Sequence, residues 1–297
     1  MNEPHRDPPA HVWVLLGLMV FLWSVNFIVA KRVLQEFHPV LAGALRFTFA
    51  GGLIWPLYWW RRHTRAPQKH DPKGKLRLVA IGVLGVGLNQ LFFLVGLQRT
   101  SVAHAALVIA GTPVMVLLLS AWIGHEQIKT KKLVGLAIAI SGVAWLQFSP
   151  SKSAGASVTG DLIVLGASIT FALFTVFGKS IVMRYDSLTV NTYAYTGSAI
   201  VLSPVTLYFA WGADLTSVSW VAWACMLYMA IFPSLLCYMI YYYALGFMPA
   251  TRISVLGYAQ PVLATGMAVL LLGEHLSQSL VTGGLLVLAG VIFAERT

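Results

Sequence analysis

Few residues in this chain pair a reactive side chain with the spacing that a reaction needs. His125 and Glu126 begin like the helix of a zinc protease, but Lys129 stands where the second histidine would have to lie. Gly178, Lys179 and Ser180 end like a phosphate-binding loop, yet Leu173 occupies the place of its first glycine and no strand leads into it. Ser168 and His104 would make a nucleophile and base only if the fold joined them, and no neighbouring pattern marks them out. No cysteine and histidine group has metal-ligand spacing. Cys225 and Cys237, on one helix, lie about 18 Å apart, too far for a disulfide. An enzyme, an ATP-driven pump and a metal or other cofactor are therefore not expected.

What remains is the chemistry of reversible binding. Inside apolar runs sit uncharged polar and aromatic residues at helical spacing: Trp23, Asn26 and Phe27; Asn89, Gln90 and Phe93; Phe171 and Phe174; Ser234, Tyr238 and Tyr242; Tyr258 and Gln260. Amides within lipid commonly bond helix to helix, so any one of these alone reads as packing. As a set drawn from several helices they read as the wall of a substrate-binding cavity, rich in rings and poor in charge. Such a wall suits amphipathic solutes, amino acids with apolar side chains among them. His104 is the titratable group assigned to that cavity.

Pro113 and Pro261 read as hinges inside helices, each freeing the carbonyl four residues earlier, at Ile109 and Gly257. All ten acidic residues, Asp161 among them, are placed outside helix centres. Ion-driven carriers commonly bury a carboxylate within a span, so transport that is passive, or coupled by other means, is the expectation. Lys31 reads first as an interfacial anchor that snorkels, and otherwise as a contact with substrate or a gate. Arg46 reads as a structural residue that must find partners such as carbonyl oxygens.

The elements that must position these residues are apolar helices. Of 297 residues, 58% are hydrophobic and 10% charged, where a soluble domain carries about 25% charged. Windows of about 20 apolar residues fall at 12–31, 40–60, 76–97, 103–123, 133–148, 161–182, 188–210, 219–243, 251–272 and 279–294. Ten such spans without polar alternation predict an all-α membrane protein and exclude a membrane barrel. The net charge of +10 does not mark a nucleic-acid partner, because the basic residues gather in the loops 61–77 and 124–132. Those loops belong on the cytoplasmic side. Both termini are then cytoplasmic, and the bilayer is placed as a cell inner membrane.

Shifted by 148 residues, the chain matches itself without a gap. Lys31 meets Lys179, Pro56 meets Pro204, Pro113 meets Pro261, Glu126 meets Glu274, Gly135 meets Gly283 and Gly142 meets Gly290. His104 likewise meets Arg252. The polar stretch 149–160 reads as the join, dividing the chain into halves 1–150 and 151–297 of five spans each. An odd number of crossings turns the second half over, giving two inverted five-helix repeats. That arrangement belongs to alternating-access carriers, with the site near the midplane between the repeats. A channel would carry a filter sequence or rings of charge, and neither is visible.

The opening FLWSVNFIVAKRVLQEFHPVLAGALRF resembles that of EamA-type members of the drug/metabolite transporter superfamily. The ends of both halves, TSVAHAALVIAGTPVMVLLLSAWIGHEQIKTKKLVGLAIAISGV and ISVLGYAQPVLATGMAVLLLGEHLSQSLVTGGLLVLAGV, resemble the repeat itself. The resemblance covers nearly the whole chain and departs from the family pattern where Phe171 stands in place of the Trp23 of the first half. It implies ten helices in two inverted repeats and export or exchange of metabolites, and it is nearest to bacterial amino-acid exporters. The partners it implies are a small-molecule substrate and the lipid bilayer. A proton-coupled antiporter of drugs or other metabolites is the alternative.

Overall fold

The computed structural model describes residues 8–64, 72–123, 130–148, 157–182, 184–244, 246–247, 253, 256 and 259–295. The elements found there are helices: α1 (Ala10–Val33), α2 (Pro39–Thr64), α3 (Pro72–Arg99), α4 (Val102–Ala110), α5 (Thr112–Trp122) and α6 (Thr130–Phe148). The second half continues with α7 (Val158–Val182), α8 (Ser187–Trp211), α9 (Trp220–Ala244), α10 (Ala259–Leu272) and α11 (Gln278–Glu295). Their starts follow from short polar side chains that accept a backbone N–H left over in the first turn. Ser101 accepts from His104 in α4, Ser157 from Gly160 in α7, Asp186 from Thr189 in α8, Ser219 from Ala222 in α9 and Ser277 from Leu280 in α11.

Five helices are long and apolar enough to cross a membrane among the described residues: Ala10–Val33, Pro39–Arg61, Pro72–Arg99, Val158–Gly178 and Trp220–Ala244. The remaining predicted spans depart from a simple apolar rod for local reasons. The fourth is broken at Gly111, where α4 ends and α5 begins. Pro113 therefore lies in the first turn of α5, where a missing N–H costs nothing, and not inside a helix as its sequence setting suggested. Pro261 lies in α10, described from Ala259, with residues 257 and 258 outside the described residues. The long helix α8 carries Thr189, Asn191, Thr192 and Ser198, all buried, which lower its hydropathy while the bundle hides them. α7 starts three residues before its predicted window, so Asp161, the first residue of that window, lies in the first helical turn.

Both α3 and α9 contain a wide π turn, at Val83–Leu88 and Ala230–Leu236. Under the 148-residue shift the first falls on 231–236, within the second. The packing pairs coincide as well: α1 lies on α9 as α7 lies on α3, α1 on α10 as α7 on α4 and α5, α2 on α8, and α6 on α11. Exchanging the two halves leaves this set of pairs unchanged. Four of the glycines matched in sequence meet in space. A Cβ on Gly142 would lie 2.7 Å from the Gly283 carbonyl oxygen, and one on Gly290 would collide with backbone at Gly135 and Ala139. Small residues let apolar helices approach in lipid, where packing replaces the hydrophobic drive between them.

The outward surface is apolar: Val14, Leu76, Ile200, Leu207, Leu270 and Leu285 are all exposed. Exposed Trp59, Trp60 and Trp122 sit near some helix ends, and Tyr208, Trp211 and Trp220 near others. Amphipathic rings at helix ends suit the interfaces of a bilayer.

Candidate functional site

α1, α3, α4, α5, α7, α9 and α10 enclose a cavity of about 170 Å³, more than tenfold what one water needs (roughly 10–15 Å³). Of the residues singled out in the sequence, Trp23, Asn26, Phe27, Asn89, Gln90, Phe93, Pro113, Phe171, Tyr238 and Gln260 line it. The rings interlock edge to face: Phe27 on Phe93 at 5.2 Å between centroids, and Trp23 on Tyr238 at 5.7 Å. Such contacts fix the rings beyond what burial alone would do. The Trp23 indole also donates to the Pro233 carbonyl at 3.2 Å.

Polar groups in the wall are mostly spoken for. Asn89 Nδ2 donates to the Ala167 carbonyl (2.8 Å), and Gln90 Nε2 donates to Asn89 Oδ1 (3.2 Å). The carbonyl that Pro113 frees at Ile109 is taken by the Thr112 hydroxyl at 2.6 Å, and Ser168 Oγ lies 3.0 Å from that same hydroxyl. Pro233 frees the Met229 carbonyl in the same way, and Ser234 Oγ supplies the replacement bond at 2.7 Å. Asn26 is the exception: its Oδ1 is buried and has no partner among the described residues.

Other expected site residues lie elsewhere. Phe174 does not reach the cavity; it fills the space left by Gly85 in the π turn of α3, where any Cβ would strike its ring. Tyr242 is buried behind Tyr238, at 5.9 Å between centroids, and Tyr241 takes the place in the wall expected of it. Tyr241 and Tyr242 follow Tyr238 by three and four residues on one regular helical segment, Cys237–Ala244, so both spacings fit its face and spacing alone does not choose between them. Ser234 is fully buried beside Arg46. Tyr258 and Arg252 lie outside the described residues, as do His125, Glu126 and Lys129. Thr112, Thr175 and Ile253 also line the cavity without having been singled out, since one hydroxyl or methyl in an apolar run carries no signal of its own.

His104, assigned to the cavity from sequence, does not line it. It is 3% exposed, and its Nδ1 lies 3.0 Å from Asp161 Oδ2. The other oxygen of Asp161 accepts from the Thr100 hydroxyl at 2.5 Å. Close approach of backbone makes this possible: a Cβ on Gly160 would lie 2.7 Å from the Arg99 carbonyl carbon. Asp161 thus lies outside the centre of its helix, in the first turn of α7, and is buried and paired there. Lys31 does not snorkel either; its ammonium donates to the Leu97 and Thr100 carbonyls at 2.8 and 2.6 Å, closing the end of α3.

The same end of the bundle is tied in two further places. Gly273 adopts a positive φ of 66°, which glycine tolerates. The turn carries Glu274 to the start of α4, where it accepts the Val102 and Ala103 N–H groups at 2.8 and 3.3 Å. Glu36 accepts the Ser219 N–H and hydroxyl at 2.7 and 2.8 Å and pairs with Arg32 at 2.7 Å. The Ser219 N–H, its hydroxyl and Arg32 hold the Glu36 carboxyl below the usual range. A depressed acid stabilises the fold above its ordinary pKa and loses that contribution as pH falls through its folded value. Wild-type protein is therefore expected to melt above Glu36→Gln at neutral pH, the difference closing on acidification. A gap in melting temperature that persists below the carboxylate range would contradict this role.

Comparison with known proteins follows the same lines. The model described as EamA-like transporter family matches twice, at residues 11–148 and 158–295. An uncharacterized transporter of Archaeoglobus fulgidus is 30% identical over 96% of this chain and 98% of its own length. A protein of Salmonella typhimurium named as a probable amino-acid metabolite efflux pump is 26% identical over 92% of this chain and 91% of its own. A solved structure, described only as the crystal structure of a protein, covers 97% of this chain and 99% of its own with a TM-score of 0.68 at 19% identity, a likeness of fold.

Proposed function

Because the chain belongs to the EamA-like transporter family, we propose that it carries amino acids with apolar side chains across the inner membrane by alternating access, as an exporter or facilitator. One observation carries the substrate: an aromatic cavity holding an unpartnered buried acceptor, Asn26 Oδ1, and the amide of Gln90. An α-ammonium fits the acceptor, an α-carboxylate fits the amide N–H, and the rings of Trp23, Phe93 and Phe171 cover an apolar side chain. The name of the Salmonella relative agrees with that solute class.

The carrier mechanism rests on the exchange of packing pairs between halves and on the run of bonds at one end of the bundle. In this reading ten crossings form two inverted five-helix repeats, with the basic loops and both termini in the cytoplasm. The Glu36, Asp161 and Glu274 bonds then seal the outer end. The break beside Pro113 and the proline at its repeat-related position, Pro261, are the hinges, since a helix interrupted or kinked at a proline can tilt without losing its ladder. A second reading, exchange against protons, draws on the His104–Asp161 pair, a buried titratable couple between the halves.

The test is counterflow of labelled phenylalanine into proteoliposomes preloaded with unlabelled phenylalanine. Saturable, trans-stimulated uptake of unmodified solute is expected, and Asn26→Ala should raise KM about tenfold, the worth of one hydrogen bond to a charged group. Cys225→Ala, at a residue that does not line the cavity, should leave it unchanged. Absence of exchange for any neutral amino acid would refute the substrate class. An imposed pH gradient that drives uphill accumulation would select the proton-coupled reading.

A further inference from the structure

Arg46 is fully buried in α2 and is absent from the cavity wall. A guanidinium stays charged in proteins and only donates. Here Nε donates to Ser234 Oγ and Nη1 to Gln90 Oε1, both at 2.7 Å, while Nη2 has no partner among the described residues. The acidic side chains that form ion pairs among the described residues pair with Arg32 and His104, not with Arg46. A full positive charge therefore sits within the bundle with no countercharge among the described residues, an arrangement that is costly and marks function where it occurs.

Its donors also dictate the sense of a chain of bonds. Arg46 can only donate, so Gln90 must turn its carbonyl oxygen toward α2. The Gln90 Nε2 is then the end turned away from Arg46, with one hydrogen committed to Asn89 Oδ1 and the amide also bonded to Tyr238 of the cavity wall. Asn89 in turn must offer its own Nδ2 to the Ala167 carbonyl, which can only accept. With a pure donor at one end and a pure acceptor at the other, neither amide can flip without breaking two bonds.

We propose that Arg46 sets the charge preference of the cavity from behind its wall: it turns the Gln90 amide donor inward and leaves a positive field there, so the pocket takes solutes bearing a carboxylate and rejects organic amines without one. This rests on the amino-acid reading above and narrows it. Arg46 is a positioning residue, acting through Gln90. The unlike behaviour of solutes with and without a carboxylate is what a merely structural arginine would not produce.

The experiment compares phenylalanine with phenethylamine, which lacks only the carboxylate, in counterflow with reconstituted full-length protein. Wild type should favour phenylalanine by about tenfold or more, the worth of a hydrogen bond to a charged group. Gln90→Glu gives Arg46 a countercharge in place, and should bring the two rates to within about threefold by cancelling the field. In a measurement needing no variant, 3-phenylpropanoate should compete with phenylalanine on wild type, and phenethylamine should not. Equal exchange of phenylalanine and phenethylamine, or an unchanged ratio in Gln90→Glu, overturns the inference and leaves the amino-acid carrier standing. Exchange of neither overturns both.

Discussion

Reconstituted Asp161→Ala is expected to lose at least roughly 99% of amino-acid counterflow. Asp161 joins the two halves at the tied end of the bundle, where it is 3% exposed. Removing its carboxylate strips the Thr100 hydroxyl and His104 Nδ1 of their partners at once. Breaking a buried pair this way costs about 3–5 kcal/mol, and each 1.4 kcal/mol is about a factor of ten in an equilibrium. The population of molecules closed at that end should therefore fall by two to three orders of magnitude. A carrier that cannot close one end cannot cycle. Asp161→Asn, which keeps an acceptor for Thr100, should lose less. A cysteine placed at Thr100 should react faster with a membrane-impermeant thiol reagent in the Asp161→Ala background. Wild-type flux together with unchanged thiol reactivity would remove Asp161 from the closing apparatus.

Gly290→Leu should lower thermal stability sharply, by about 3 kcal/mol or more, at the upper end of what overpacking costs. Its Cβ would collide with the Ala139 nitrogen and the Gly135 carbonyl oxygen, which are backbone and cannot swing aside. α6 and α11 would have to separate. Gly142→Leu should do the same from the other helix, against Gly283 and Val287. The two together should cost less than their sum, because once the pair is parted the second side chain meets open space. Gly17 and Gly266 provide the contrast: nothing lies within 4 Å of a Cβ at either. Leucine there should be neutral or gain up to about 1 kcal/mol of helix propensity. Equal melting temperatures for Gly290→Leu and Gly266→Leu would dismiss the close crossing of α6 and α11.

Much of the scaffold could be read directly from residue order. Helices are local: hydropathy, run length and the capping serines and aspartate decide them within a few residues, and α1, α2 and α3 lie close to their expected windows. The 148-residue offset is also visible in one dimension, and the glycines it matched are those that bring α6 and α11 together. The polar and aromatic residues of α1 and of the first half of the cavity, Trp23, Asn26, Asn89, Gln90 and Phe93, follow from a 3.6-residue period because no distortion lies between the members of each group.

Three matters were settled by tertiary structure alone. Tyr241, not Tyr242, lines the cavity although both sit one turn beyond Tyr238; which of the two meets a neighbouring helix and which the cavity is not written in their spacing. His104 left the cavity for Asp161, a partner 57 residues away that approaches because Gly160 admits backbone. Arg46 found its partners on two other helices, 44 and 188 residues away. Side-chain periodicity tells which residues share a face of one helix; which face meets which, and where a buried charge is answered, depends on contacts between segments far apart in the chain, and these exist only once the bundle has formed.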